Sequence, residues 1–234
     1  MENKKQEGHK VLFPSEEVTL PSQGLLYSKD SPLSKGAIQM KYMTAREEDI
    51  LTNQNLIKKG TVIDKLLQSL IIDDVDYNQL LIGDKNALLV AARILGYGSD
   101  YTLKMTNPDS GEEEMVTVDL TEADDKVLDK KLVVEGKNEF DFILPASKVP
   151  ITFKLLTHGD EKKIQQEIKG LKKINKQSSA DLSTRWKHII TSINGETDKK
   201  TIREFVDNKL LARDSRALRN KMGEITPDID LKYN

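Results

Sequence analysis

The sequence predicts an α+β fold: an N-terminal strand–turn unit with a layer of short helices, a central antiparallel β region, and a C-terminal helical region. Three observations predict it. Between Thr61 and Gly98 apolar residues recur at three- and four-residue spacing, the period of amphipathic helices. Between Tyr101 and Leu156 the period falls to two, as in half-buried strands. From Thr157 the helical period returns. The segments are an arm over residues 1–18, a β-turn plus helical layer over 19–98, antiparallel β over 99–156, helices over 157–226 and a tail over 227–234.

Val18-Thr19-Leu20 and Ala37 to Tyr42 alternate as strands, and Pro21-Ser22-Gln23-Gly24 between them has the composition of a reverse turn. Thr44 stands three residues before Glu47, a capping-box spacing that starts a helix with Ile50, Leu51 and Ile57 on its apolar side. Thr61 to Asp64 opens a second helix, and Asp84 is placed to cap a third that ends at Gly96 or Gly98. Tyr101 to Met105 and Met115 to Leu120 flank Asn107-Pro108-Asp109-Ser110-Gly111, a hairpin signal. Lys131 to Leu144 and Val149 to Leu156 add about three further strands. Ile164, Ile168, Leu171 and Ile174 form a narrow seam on a charged helix, closer to a coiled-coil stripe than to a core face. Leu182, Trp186, Ile189, Ile190 and Ile193 form a wider stripe, and a last helical pair runs from about Asp198 to Met222.

Charge is unevenly spread. The net charge is −2, but residues 108–142 hold 12 acidic against 4 basic side chains, and residues 158–222 hold 16 basic against 9 acidic. Two such regions attract each other or two different partners. Aromatic residues make up only 5% of the chain, which argues against a base-stacking nucleic-acid surface. No signal-peptide core and no run of about 18 apolar residues is present, so the expected setting is a cytoplasm without membrane contact.

Chemical motifs are incomplete. Asp74, Asp76 and Asn78 begin a calcium-loop pattern, but Gln79 and Lys85 stand where its glycine and bidentate glutamate belong. His9, His158 and His188 have no second histidine at helical spacing. The Gly96-Tyr97-Gly98-Ser99 run lacks a P-loop lysine–serine pair. With no cysteine in the chain, thiolate zinc sites and disulfides are excluded. Asn107 and Ser110 are spaced like the cysteines of a zinc-ribbon knuckle, and neither is a zinc ligand. The expectation is a protein that is no enzyme, with no cofactor and no metal.

Four stretches, taken in order, resemble the base-plate protein family of T4-like contractile-tailed bacteriophages. They are LPSQGLLY at Leu20 to Tyr27, YMTAREEDILTNQNLIKKGTVIDKLL at Tyr42 to Leu67, LLIGDKNALLVAARILGYG at Leu80 to Gly98, and LLARDSRALRNKM at Leu210 to Met222. The resemblance implies a non-enzymatic protein of baseplate hub assembly, a hub subunit or a hub assembly chaperone, that binds other tail and hub proteins. Its setting is then the host cytoplasm during assembly and, for a hub subunit, also the tail baseplate of the virion. Many relatives carry cysteine pairs at the turn corresponding to Asn107 and Ser110, and some continue past a segment like Ile225 to Lys232 into a second ribbon. Neither property carries over to these residues. The alternative is a transient chaperone of the tape-measure protein, which narrow apolar seams on charged helices would suit.

The candidate partner-binding residues follow. Leu25, Leu26 and Tyr27 either anchor on a partner or enter the core. Arg46 sits at the positive end of its helix, against the macrodipole preference, as one half of a buried or interfacial pair or as an exposed i,i+4 partner. Ile164, Ile168 and Leu171 offer the seam. Asp214 is a candidate cap for the final helix, leaving Arg216 and Arg219 for carboxylates within the chain or on another tail protein.

Overall fold

The computed structural model describes residues 14–106, 111–174 and 181–231. It opens with an antiparallel ribbon of β1 (Ser15–Thr19) and β2 (Ala37–Lys41). The link between them is a series of turns closed by a 3-10 helix over Pro32–Lys35. Gly24 adopts φ +75°, and a Cβ there would lie 2.3 Å from the Ser34 carbonyl oxygen. The turn therefore requires glycine for both conformation and space.

The helical layer comprises α1 (Ala45–Thr52), α2 (Gln54–Lys59), α3 (Val62–Leu70) and α4 (Ile82–Tyr97). The one helix expected after Thr44 is two. Asn53 breaks it, because its side chain accepts the N–H groups of Asn55 and Leu56 and starts α2 afresh; asparagine offers such a cap more readily than it continues a helix. Leu66, Leu67 and Leu70 of α3 meet Leu88 and Ala92 of α4, and Ile38 and Met40 of β2, in one core.

The predicted hairpin is present as β3 (Asp100–Thr106) paired with β4 (Glu113–Asp119). The Asn107 and Ser110 knuckle falls outside the described residues, as does His9. Downstream, β5 (Asp124–Lys126) pairs with β9 (Asp228–Asp230), and β6 (Phe140–Ile143), β7 (Pro150–Phe153) and β8 (Ile190–Ile193) form a three-stranded antiparallel sheet. Both sheets join residues of the predicted β region to residues beyond position 157.

Two expectations are corrected here. Residues 131–134 are no strand: the Asp129 carboxylate accepts the Lys131 N–H and winds Lys130–Leu132 into a 3-10 turn. The Trp186 stripe is not helical to Ile193. Its helix, α6 (Asp181–Ile189), stops at Ile189 and the chain continues as β8, since Ile190, Thr191 and Ile193 are β-branched and the edge of β7 accepts them.

The remaining helices are α5 (His158–Ile174), α7 (Lys199–Asn208), capped by Asp198, and α8 (Ala212–Ile225). The starts of α4 and α5 are lashed side by side, with the Ile82 N–H donating to the Leu156 carbonyl and the His158 N–H to that of Leu80. Phe153, Leu144, Trp186, Ile190, Phe205 and Leu218 extend the same core through the C-terminal half. Among the described residues no helix is long and apolar enough to cross a membrane.

Candidate partner-docking site

The first motif stretch is turned inward. Leu26 and Tyr27 are buried and Leu25 is half-buried against the same core. Leu26 and Tyr27 thus take the internal alternative, with Tyr27 fixed to the start of α4, while Leu25 keeps part of its surface. The Tyr27 hydroxyl donates to Asp84 Oδ2 at 2.5 Å and accepts the Leu81 N–H at 2.9 Å. Ser22 donates its N–H to Asp84 Oδ1 at 2.9 Å and its hydroxyl to Oδ2 at 2.6 Å. Asp84 is thus no cap: Leu81 holds that position, and Asp84, three residues in, binds the Leu20–Tyr27 turn. Burial pushes the Asp84 carboxyl above its ordinary range despite these donors, and burial with the adjacent carboxylate pushes the Tyr27 phenol up.

The second stretch builds a similar hub. The Thr44 N–H and hydroxyl both donate to Glu47 Oε2, while Glu47 Oε1 accepts from Lys41 Nζ at 2.9 Å and Ser69 Oγ at 2.6 Å. Burial alone would raise this carboxyl, but the Ser69, Lys41 and Thr44 donors outweigh it and hold it at about 2. Arg46 is exposed beside it. Its reading as half of a buried pair within the chain is therefore corrected; the acidic neighbour Glu47 takes the buried side of the turn.

Asp214 does not cap α8, where Leu211 holds the cap position. The carboxylate is fully buried and accepts the N–H groups of Ala146 at 2.7 Å and Ser147 at 3.0 Å. Burial opposes its charge, yet these amide donors hold it below the usual carboxylate range. It fastens the turn between β6 and β7 onto α8. One residue on, Ser215 accepts the Trp186 indole N–H at 2.8 Å. Arg216 and Arg219 face outward. They border an open groove of about 410 Å³ between α6, α7 and α8, whose lining includes Trp186, Val206 and Leu210, with Leu182 45% exposed at its side.

The α5 seam divides. Ile164 and Ile168 are buried where α5 packs on α6 and on the turn at Tyr77–Gln79, so as partner contacts these two are corrected to core residues. Leu171 is half-buried and Ile174 is 87% exposed.

A polar cluster that sequence reading did not assemble joins α3, α4 and α5. Lys85 Nζ lies 2.7 Å from Asp64 Oδ1 and 3.3 Å from His158 Nδ1, and the Tyr77 hydroxyl donates to Asp64 Oδ1 at 3.1 Å. His158 Nε2 lies 3.5 Å from Asp64 Oδ2. Burial first, then Lys85, keeps His158 below its ordinary value, while Lys85 holds Asp64 low against burial. The arrangement neutralises charge where three helices meet. Among the described residues no group of three or more histidines, cysteines or carboxylates is set to hold a metal ion.

The first and third motif stretches thus interlock through Ser22, Tyr27 and Asp84, while Glu47 and Asp214 tie the second and fourth to neighbouring segments of the chain. The model of the T4 bacteriophage base plate protein family matches residues 20–233. The chain belongs to this family. No curated protein and no solved structure matches it. A base plate protein of this family has a structural or assembly role in the phage baseplate and interacts with other tail or baseplate proteins. In this base plate protein the buried polar motif residues Ser22, Glu47, Asp84, Asp214 and Ser215 bind groups within the chain, and Arg46, Arg216 and Arg219 are among the motif residues that remain on the surface.

Proposed function

We propose that this base plate protein acts in assembly of the baseplate hub by binding other tail and hub proteins, without catalysis and without a cofactor. The observation that carries this reading is the groove beside Arg216 and Arg219. It pairs an apolar lining, Trp186 and Leu210, with two exposed guanidinium groups. An acidic segment bearing one or two apolar side chains complements it: guanidinium groups bind carboxylates in bidentate fashion, and the apolar lining supplies the desolvated centre of an interface. The buried carboxylates Glu47, Asp84 and Asp214 are each occupied by donors from the chain itself, which accords with a structural use. The test is co-expression with each hub protein of the same phage followed by size-exclusion chromatography. A stable co-eluting complex supports the reading, and separate elution from every hub protein contradicts it.

A second reading, a transient chaperone of the tape-measure protein, draws on Ile174, which stands 87% exposed at the end of α5 beside half-buried Leu171. That is a small apolar surface for holding a long helix. Mass spectrometry of purified virions separates the two: a hub subunit is retained and a released chaperone is missing.

A further inference from the structure

The hairpin β3–β4 carries an apolar face that, among the described residues, lies outside the hydrophobic core. The register places Tyr101 opposite Val118, Leu103 opposite Val116 and Met105 opposite Glu114. Side chains alternate across a strand, so Tyr101, Leu103, Met105, Val116 and Val118 share one face. Among the described residues none of these five belongs to the core or packs against it, and neither strand joins another sheet. Tyr101 and Met105 remain 44% and 46% exposed.

The opposite face is mainly polar by contrast. There Thr102 and Thr117 share a hydrogen bond of 2.8 Å, and Lys104 pairs with Glu113. Apart from Met115, 67% exposed, that face is polar, and one mainly polar face with one apolar face is the pattern of a sheet that is packed on one side. A lone two-stranded hairpin is marginal in water, and an apolar strip that is only half-buried at Leu103, Val116 and Val118 marks an interaction surface.

The root of the hairpin is held firmly. Arg93 of α4 donates to the carbonyls of Gly98 at 2.7 Å and Asp100 at 3.0 Å, and its guanidinium lies 5.4 Å and 5.5 Å from the ring centroids of Tyr97 and Tyr101. The Leu120 N–H closes the base on the Ser99 carbonyl. The strip is therefore presented at a fixed root on the end of α4.

Charge selects the occupant. Residues 100–119 carry six acidic side chains and one lysine, and Glu114 lies on the apolar face itself beside Met105. Two copies stacked face to face would oppose these like charges, which is unfavourable. We propose that the apolar face of β3–β4 docks on another hub protein whose contact surface is apolar at its centre and rimmed by lysine and arginine. This deepens the hub-assembly reading and rests on it.

The experiment uses the full chain and the individually purified hub proteins of the same phage as probes, with binding followed by biolayer interferometry. Against the hub protein that binds the wild type, the Leu103→Glu/Val116→Glu double variant should lose about tenfold or more in affinity, as expected for charges placed in an interface centre. Since that variant removes a cross-strand pair, Glu114→Lys provides a second test with the apolar strip intact. It should also weaken binding, and added salt should weaken the wild-type complex. Met115→Gln, on the opposite face, should bind as wild type. Unchanged affinity of both face variants overturns the hairpin assignment and leaves the assembly reading standing. A wild-type chain that binds none of the hub proteins overturns both. Concentration-dependent self-association in ultracentrifugation that the face variants abolish makes a second copy the occupant and overturns the proposed partner.

Discussion

Tyr27 and Asp84 are joined by a 2.5 Å hydrogen bond from phenol to carboxylate, while the same phenol oxygen accepts the Leu81 N–H at 2.9 Å. One side chain thereby fixes the glycine turn after β1 to the first turn of α4. Replacing Tyr27 by phenylalanine leaves a buried amide without its acceptor and the carboxylate short of a donor. The expected cost is about 1–3 kcal/mol in urea denaturation. The Asp84 carboxyl, already raised by burial, should titrate still higher in Tyr27→Phe, read by carbon-detected NMR.

Acid should remove the stability that the Glu47 carboxylate contributes. Its folded pKa is depressed to about 2 from 4.5. A depressed carboxyl stabilises the fold above its unfolded pKa, and that contribution is lost as pH falls through the folded value. Stability should therefore decline from about pH 4.5 toward about pH 2. In Glu47→Gln that part of the slope should flatten, at a neutral-pH cost of about 2–4 kcal/mol because Lys41 loses its buried partner. Urea midpoints measured across this range check both statements.

Gly83 has no room to grow. A Cβ there would lie 1.8 Å from the Pro227 carbonyl oxygen, so Gly83→Ala should push β9 off α4 and release its pairing with β5. Amide exchange at Asp228–Asp230 and Asp124–Lys126 should accelerate together. Gly170, in the middle of α5 with nothing within 4 Å of a built Cβ, is the contrast: Gly170→Ala should stabilise by about 0.5–1 kcal/mol.

Asp214 and its neighbours on α8 should separate stability from binding. Asp214→Ala strips the Ala146 and Ser147 amides of their acceptor and should cost about 2–4 kcal/mol. Arg216→Ala and Arg219→Ala, on the exposed side of the same helix, should each stay within about 0.5 kcal/mol of wild type in thermal or urea melts.

Local signals were legible in the sequence where their causes are local. The Thr44–Glu47 box, the Gly24 turn and the β3–β4 alternation depend on neighbours within a few residues, and each is present in the fold. Asp84 and Asp214 have the sequence signature of caps, a carboxylate near a helix start, but each is claimed by a donor set 62 or 68 positions away that the sequence hides. The strand at Ile190–Ile193 was hidden by apolar residues that also fit a helical stripe, and only the free edge of β7 decides between the two. Leu26, Tyr27, Ile164 and Ile168 looked available to a partner because apolar spacing does not say which surface covers a stripe. The apolar face of the hairpin is visible as alternation, yet its position outside the core of the described residues emerges only from the packing.

The central claim is that exposed charge on α8 serves a partner and not the fold. Its most direct test is the affinity of the Arg216→Glu/Arg219→Glu double variant for the hub protein that co-elutes with the wild-type chain, measured beside its urea midpoint. The midpoint should stay unchanged while binding falls by about tenfold or more. A variant that binds as wild type, or that unfolds at markedly lower urea, contradicts it.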